Sequence, residues 1–168
     1  DKSSLRQKIG TCLQSGTLFP GDIFSNITIT APWSTREDAW EAARLAGIDE
    51  DIRALPMGMN TLISEGGGGF SGGQKQRLLI ARALMNKPSI LFFDEATSAL
   101  DNVSQKMVSD NLDKMRCTRV VIAHRLSTIR HCNRIIVLDK GNIVEEGTFE
   151  QLKAKGGLFA DMIKRQEI

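Results

Sequence analysis

The sequence is poor in the residues that define several protein classes. Its 168 residues include three cysteines, four prolines, two tryptophans and no tyrosine. The cysteines Cys12, Cys117 and Cys132 form no Cys-x-x-Cys pair, so we expect reduced thiols rather than a disulfide framework or a zinc site. No apolar run exceeds four residues, far short of the roughly 18 that cross a bilayer. If the protein acts at a membrane, we therefore expect another domain to make the contact.

An excess of one charge is also missing. Lys and Arg number 22 against 20 Asp and Glu, a net charge of +2, so no strong basic field indicates nucleic acid as a partner. A hydrophobic fraction of 41% is enough for one core, and the length predicts one domain of roughly 150 residues, or one with a small addition. The chain opens with Asp1 and has no signal-peptide pattern. We expect it to be a piece of a longer protein.

The hydrophobic pattern alternates between strands and helices. A short strand is predicted between Lys8 and Gln14, and residues 31–63 read as a helical insert that Ser34 or Thr35 can cap. Strands that are apolar on both faces are predicted at Ile90–Phe93, Val120–Ala123 and Ile135–Leu138, and a further strand is predicted at Ile143–Glu146. Helices are predicted at 102–114 and 127–131, and two short helices in the last 20 residues. This alternation predicts an α/β fold around a buried parallel sheet.

Two adjacent carboxylates, Asp94 and Glu95, follow the apolar strand Ile90–Phe93. Charges delivered to the end of a buried strand are unfavourable unless they are paired or used, and in open α/β sheets ligands bind at the carboxyl ends of the strands. Asp94 there can hold Mg²⁺ through its water shell, and Glu95 can orient an attacking water. The alternative is that Asp94 only caps the next turn.

A glycine-rich segment precedes the next strong helix pattern. Six glycines fall within Gly66–Gly73, and Ser71-Gly72-Gly73-Gln74 leads directly into the helix that carries Leu78 to Leu84. A helix N-terminus attracts anions, and glycine lets the backbone approach a phosphate. A flexible linker is the alternative, and it fits Gly66–Gly69 better than it fits Ser71–Gln74.

Two further polar residues lie where strands are predicted to end. His124 comes directly after Val120–Ala123, where an imidazole can donate to a phosphate oxygen or to an activated water. Gln14 ends the first strand and could equally be an ordinary turn residue. A lone histidine is more often structural, and His131 is given that interpretation.

In order and spacing these motifs resemble those of ABC-type ATPases, the nucleotide-binding domains of ABC transporters. The resemblance covers the whole chain, with 23 residues between Ser71 and Asp94 and 29 between Glu95 and His124. Gln14 matches the Q-loop, and Ser71–Gln74 matches the signature motif. Asp94-Glu95 matches Walker B, Ser98–Asp101 matches the D-loop and His124 matches the switch histidine. Phe70 stands where the family usually has Leu, and Leu13 where Pro is commoner.

The resemblance implies a P-loop NTPase-like (RecA-like) core, here incomplete, that binds ATP and Mg²⁺. It implies that Asp94 anchors Mg²⁺ with help from Gln14, that Glu95 polarises the lytic water and that His124 stabilises the γ-phosphate. Two such domains would sandwich two ATP molecules. The nucleotide-binding residues are then expected to be Gln14, Ser71, Gly72, Gly73, Gln74 and Asp101, with Asp101 at the dimer interface.

The implied organisation has four segments and a membrane partner. Residues 1–30 are the Q-loop part of the core, and residues 31–86 are a helical subdomain that ends in the signature helix. Residues 87–147 are the catalytic core, and residues 148–168 are C-terminal helices. The expected partners are a second nucleotide-binding domain and the transmembrane domain of an exporter, at the cytoplasmic face of the inner membrane. The stretch Asp38–Thr61 resembles that of exporters of peptides or bacteriocins.

The phosphate loop of the family is missing. No Gly-x-x-x-x-Gly-Lys-Ser/Thr occurs in the sequence, and in the family it lies upstream of the Q-loop, which would place it before Asp1. We therefore expect the 168 residues alone to be inactive and to expose an apolar sheet edge. The alternatives are a non-catalytic module and an ABC-type ATPase that acts on nucleic acid. Ser71 comes only 57 residues after Gln14, and this short interval argues against the second alternative.

Overall fold

The computed structural model describes residues 1–123 and 125–166, and the chain divides into two compact units, residues 1–122 and 123–168. The strands of the first unit are β1 (Ile9–Cys12), β2 (Gly21–Asp22), β3 (Leu62–Ile63), β4 (Ile90–Asp94) and β5 (Thr118–Ile122). Its helices are α1 (Lys2–Gln7), α2 (Ile23–Thr28), α3 (Arg36–Leu45), α4 (Asp49–Arg53), α5 (Gly72–Leu84) and α6 (Asn102–Asp113).

The central element of the first unit is a parallel sheet with the strand order β1-β4-β5. The register pairs Cys12 with Phe93 and Asp94 with Ile122, so the three strands end at one edge. Helix α5 packs across β1, where a Cβ at Gly10 would lie 2.4 Å from the Ala83 carbonyl oxygen. The predicted strands at Ile90–Phe93 and Val120–Ala123 are therefore present, with boundaries shifted by one or two residues.

The sheet is covered on one face only within the described residues. Leu91 and Phe93 are buried against the helices, whereas Phe92, Val120 and Ile122 of the opposite face are 40%, 44% and 58% exposed. The expectation of strands buried on both faces is wrong for this chain, because side chains alternate between the two faces of a sheet and one face lacks a covering layer.

The second unit is an antiparallel hairpin with helices. Its elements are α7 (Leu126–Ile129), β6 (Ile135–Asp139), β7 (Asn142–Gly147), α8 (Phe149–Lys155) and α9 (Leu158–Gln166). Lys140 and Gly141 both have positive φ, as a tight hairpin turn requires. Phe149 and Phe159 meet edge to face at 5.5 Å in its small apolar core.

Candidate functional site

The carboxyl edge of the parallel sheet brings two of the expected site residues into contact. Glu95 follows β4 directly, and Gln14 lies two residues beyond the end of β1. The Gln14 Nε2 donates a hydrogen bond of 2.9 Å to the Glu95 Oε2. Asp94, the last residue of β4, is half-buried beside them. Both carboxylates and the amide are thus presented at the edge where parallel sheets bind ligands.

Glu95 has an unusual backbone conformation. Its φ is 49°, in the left-handed region that non-glycine residues rarely adopt. The Glu95 N–H donates to the Ile122 carbonyl at 2.9 Å, and the Glu95 carbonyl accepts from the Ser98 N–H at 3.0 Å. Such a conformation persists only where its surroundings enforce it, and it is concentrated at functional sites.

The N-terminus of α5 is closed by a reciprocal capping box. The Ser71 Oγ accepts from the Gln74 N–H at 3.1 Å, and the Ser71 N–H donates to the Gln74 Oε1 at 3.0 Å. The Gln74 Nε2 donates in turn to the Asp51 Oδ1 of α4 at 2.8 Å. Both the oxygen and the nitrogen of the Gln74 side-chain amide are therefore hydrogen-bonded within the chain. The side chain stabilises the start of α5 rather than pointing away from it.

The glycines of the signature segment have a packing reason. A Cβ at Gly73 would lie 3.3 Å from the Ala99 carbonyl oxygen, and a Cβ at Gly72 would lie 3.8 Å from the Ala99 Cβ. The loop after Glu95 thus rests on the first turn of α5. This turn also presents the positive end of the helix dipole and its N–H groups, the usual features of an anion site.

Asp101 is exposed and serves as the N-cap of α6. Its Oδ1 accepts from the N–H groups of Val103 and Ser104, both at 2.9 Å, and its Oδ2 accepts from the Ser104 Oγ at 2.7 Å. These bonds to Ser104 and Val103 hold the pKa of the Asp101 carboxyl below its usual value. The cap explains the carboxylate at this position, and a role at a dimer interface stays a prediction. His124 lies outside the described residues.

Sequence reasoning missed three residues that assemble this region. They are Asp51 on α4 and Gln76 and Arg82 on α5, and each makes hydrogen bonds to residues far away in the sequence. The available signal was the position of Arg82 within the apolar run Leu78–Leu84, because a charge on the buried side of a helix needs a partner.

The donor set at the sheet edge fits Mg²⁺ and a triphosphate. Mg²⁺ is usually held by one or two carboxylates together with waters and phosphate oxygens, and Asp94, Glu95 and the Gln14 amide supply such oxygens. No group of three or more His, Cys, Asp or Glu residues that could hold a metal ion occurs among the described residues.

The structure defines an α/β class with a parallel sheet, and comparison with known proteins gives the family. The family described as ABC transporter matches residues 1–98, and the chain belongs to this family. The chain superposes with a TM-score of 0.95 on a bacterial Atm1-family ABC exporter with ATP bound, at 39% identity over 99% of this chain and 30% of that one. The predicted family and the α/β fold with a parallel sheet are confirmed.

Similar curated proteins include ATP-binding proteins of toxin export. The chain is 47% identical to the alpha-hemolysin translocation ATP-binding protein HlyB of Escherichia coli O157:H7 over 99% of its residues and 24% of the relative. It is 46% identical over 100% of its residues to the mitochondrial potassium channel ATP-binding subunit of Pongo abelii, again across 24% of the relative. The chain thus spans about a quarter of the length of these relatives. In residues 1–123 and 125–166, no helix has the length and apolar character of a membrane span.

Proposed function

We propose that this chain is the ATP-binding and ATP-hydrolysing segment of an ABC exporter. The single observation that carries the proposal is the 2.9 Å hydrogen bond between Gln14 and Glu95 at the carboxyl edge of the sheet. It joins the Q-loop residue to the expected water-activating carboxylate in a chain of the ABC transporter family. In this proposal Gln14 responds to bound nucleotide and Glu95 acts on the water, and the hydrogen bond between them supports a shared site.

The roles at this edge follow from the chemistry of the side chains. Glu95 orients and polarises the water that attacks the γ-phosphorus, and ADP leaves as the bond to the β-phosphate oxygen breaks. Asp94 and the Gln14 amide hold Mg²⁺ directly or through its waters. When bound, Mg²⁺ neutralises charge on the phosphate oxygens. We assign to His124 the stabilisation of the γ-phosphate.

The signature segment would serve the nucleotide held by a second copy of the domain. Ser71, Gly72 and Gly73 offer a hydroxyl and helix-start N–H groups to a γ-phosphate. Gln74 supports them through the capping box and through Asp51. Asp101 would lie at the interface of the resulting sandwich dimer.

A membrane partner and an exported cargo complete the proposal. The transmembrane domain of the exporter would place this chain at the cytoplasmic face of the membrane, with no nucleic acid as partner. The names of several relatives refer to translocation or secretion of alpha-hemolysin and cyclolysin, and they support a polypeptide cargo. Reconstitution of the full-length transporter tests this point, because demonstrated import or a small-molecule cargo would contradict it.

The 168 residues alone should not hydrolyse ATP, because they contain no phosphate loop. In the full-length protein, Glu95→Gln should lower kcat at least about 100-fold, as expected for loss of a general base. Glu50→Gln, on the exposed surface of α4, is the matched control and should leave kcat unchanged. ATP hydrolysis by all of these proteins and by the isolated chain is measured by colorimetric detection of released phosphate.

Two outcomes would contradict the proposal. The first is a full-length Glu95→Gln variant that hydrolyses ATP at the rate of the unmodified protein. The second is robust turnover by the purified 168-residue chain that Glu95→Gln abolishes, which would show that the missing loop is dispensable.

A further inference from the structure

The side chain of Gln76 joins helix α5 to the loop that follows Glu95. Gln76 is half-buried in the second turn of α5. Its Nε2 donates to the Glu95 carbonyl at 3.2 Å and to the Ser98 Oγ at 3.3 Å, while its Oε1 accepts from the Ala99 N–H at 2.8 Å. One neutral amide thus binds both ends of the segment 95–99.

This segment is the one that needs support. Glu95 has a φ of 49°, a conformation that costs about 1–3 kcal/mol and persists only where its surroundings hold it. The Glu95 N–H is held by the Ile122 carbonyl, and the far end of the segment rests against Gly73 through the Ala99 carbonyl. Gln76 provides a side-chain contact between these two ends, in addition to the backbone bond from the Ser98 N–H to the Glu95 carbonyl.

We propose that Gln76 is a positioning residue, which keeps Glu95 in the backbone conformation that directs its carboxylate toward Gln14. Through Gln76, the orientation of Glu95 depends on the position of the signature helix. This inference rests on the proposed function, since it assigns to Gln76 an effect on the step that Glu95 performs. Gln76 itself touches neither the water nor the nucleotide in this scheme.

Only an amide can make this set of contacts. Methionine has a similar length but neither donates nor accepts comparably, and glutamate keeps an acceptor for the Ala99 N–H while it loses both donors. Gln76→Met and Gln76→Glu are therefore the informative variants. Gln7→Met, the same substitution at an exposed glutamine of α1, is the matched control.

The experiment measures ATP hydrolysis by the full-length protein in two backgrounds. With Glu95 present, Gln76→Met should lower kcat about 10-fold or more and change KM for ATP less than about 2-fold, because ground-state binding is untouched. With Glu95→Gln, the same substitution should lower the residual kcat less than about 2-fold, since residues that act as one unit are not additive. Gln7→Met should leave both values unchanged.

Hydrogen exchange provides the independent readout. In full-length Gln76→Met and Gln76→Glu, amides of residues 95–99 should exchange faster, while the melting temperature stays within about 2 °C. Unchanged exchange in a folded variant would overturn the proposal. If Gln76→Met does not fold, Gln76→Glu decides the matter by the same measurements.

The outcomes separate this inference from the proposed function. If Glu95→Gln lowers kcat at least about 100-fold while Gln76→Met leaves kcat intact, or lowers it equally in both backgrounds, the positioning role is wrong and the proposed function stands. If Glu95→Gln leaves hydrolysis intact, the proposed function itself is wrong and the positioning role is overturned with it.

Discussion

The two ends of helix α5 are held in different ways. At the N-terminal end, Gln74 and the charged Arg77 both donate to the Asp51 carboxylate of α4, and Gln76 bonds to the loop after Glu95. At the C-terminal end, the charged Arg82 donates to the Asn26 carbonyl, the Asn26 Oδ1 and the Thr17 carbonyl, each at 2.9 Å. Asn26 is only 2% exposed.

The two ends are therefore attached to different parts of the chain. Hydrogen bonds to a charged group contribute about 1.5–3 kcal/mol, and both ends have them, through Arg77 and Asp51 at one end and through Arg82 at the other. The end that we expect to meet nucleotide is attached to α4 and to the loop after Glu95. The opposite end is anchored to the segment Thr17–Asn26, which follows Gln14 along the chain. The Q-loop segment and the signature helix should consequently move together.

The largest predicted effect breaks the anchored end. Arg82→Met should lower the free energy of unfolding by about 3 kcal/mol, because it removes three hydrogen bonds from a charged donor, including the one to the Asn26 Oδ1, which keeps the Phe19 N–H as a donor. It also removes the guanidinium that lies 5.0 Å from the Phe19 ring centre. Urea unfolding followed by circular dichroism measures the change.

Arg53→Met is the matched control for this prediction. Arg53 also lies over an aromatic ring, 4.5 Å from the centre of Trp40, and pairs with Glu50 at 3.8 Å on the surface. Its removal should change stability by less than about 1 kcal/mol. Equal losses in the two variants would show that Arg82 is not a special anchor.

The next effect is at the N-terminal end. Asp51 accepts from the Gln74 Nε2 at 2.8 Å and from the Arg77 Nη1 at 2.9 Å, so Asp51→Ala should destabilise the chain by about 1–2 kcal/mol. Glu50→Ala, its exposed neighbour, should change stability by less than about 0.5 kcal/mol. The same urea experiment applies, and a loss as large as that of Arg82→Met would remove the distinction between the two ends.

The elements around the site could be predicted because their signals are local. The apolar runs predicted β4 and β5, and the glycine-rich segment directly before Leu78–Leu84 predicted the start of α5. The predicted cap at Thr35 is also confirmed, since Thr35 and Asp38 form a capping box at the start of α3. The order of the motifs predicted the family. The resemblance predicted that Gln14 and Asp94 serve one Mg²⁺, whereas the hydrogen bond between Gln14 and Glu95 is a finding of the structure.

What could not be predicted depends on contacts between distant parts of the sequence. Gln76 and Asp51 look like ordinary surface residues until the fold brings the loop after Glu95 and helix α4 to α5. The short helices α1 and α2 have no strong periodic pattern, because helices this short are stabilised by packing more than by their own sequence. Whether a face of β4 and β5 is buried likewise depends on which other elements pack against it.

The smallest predicted effect concerns the anchored end at high pH. Burial raises the pKa of the Cys12 thiol from 9.0 to about 12, only partly offset by the nearby charge of Arg82. In the unfolded chain the thiol ionises first as the pH passes 9, which favours unfolding. Stability should therefore fall as the pH rises from 9 toward 12, by about 1 kcal/mol already at pH 10.

Cys12→Ala isolates this contribution, because the stability difference between pH 8 and pH 10 is measured within each protein. The unmodified chain should lose about 1 kcal/mol more than Cys12→Ala over this interval. The absence of tyrosine removes the phenols that would otherwise titrate over this interval. If Cys12→Ala shows the same pH dependence as the unmodified chain, the thiol is accessible to water. The close packing of β1 against α5 beside Arg82 would then be looser than the anchored end requires.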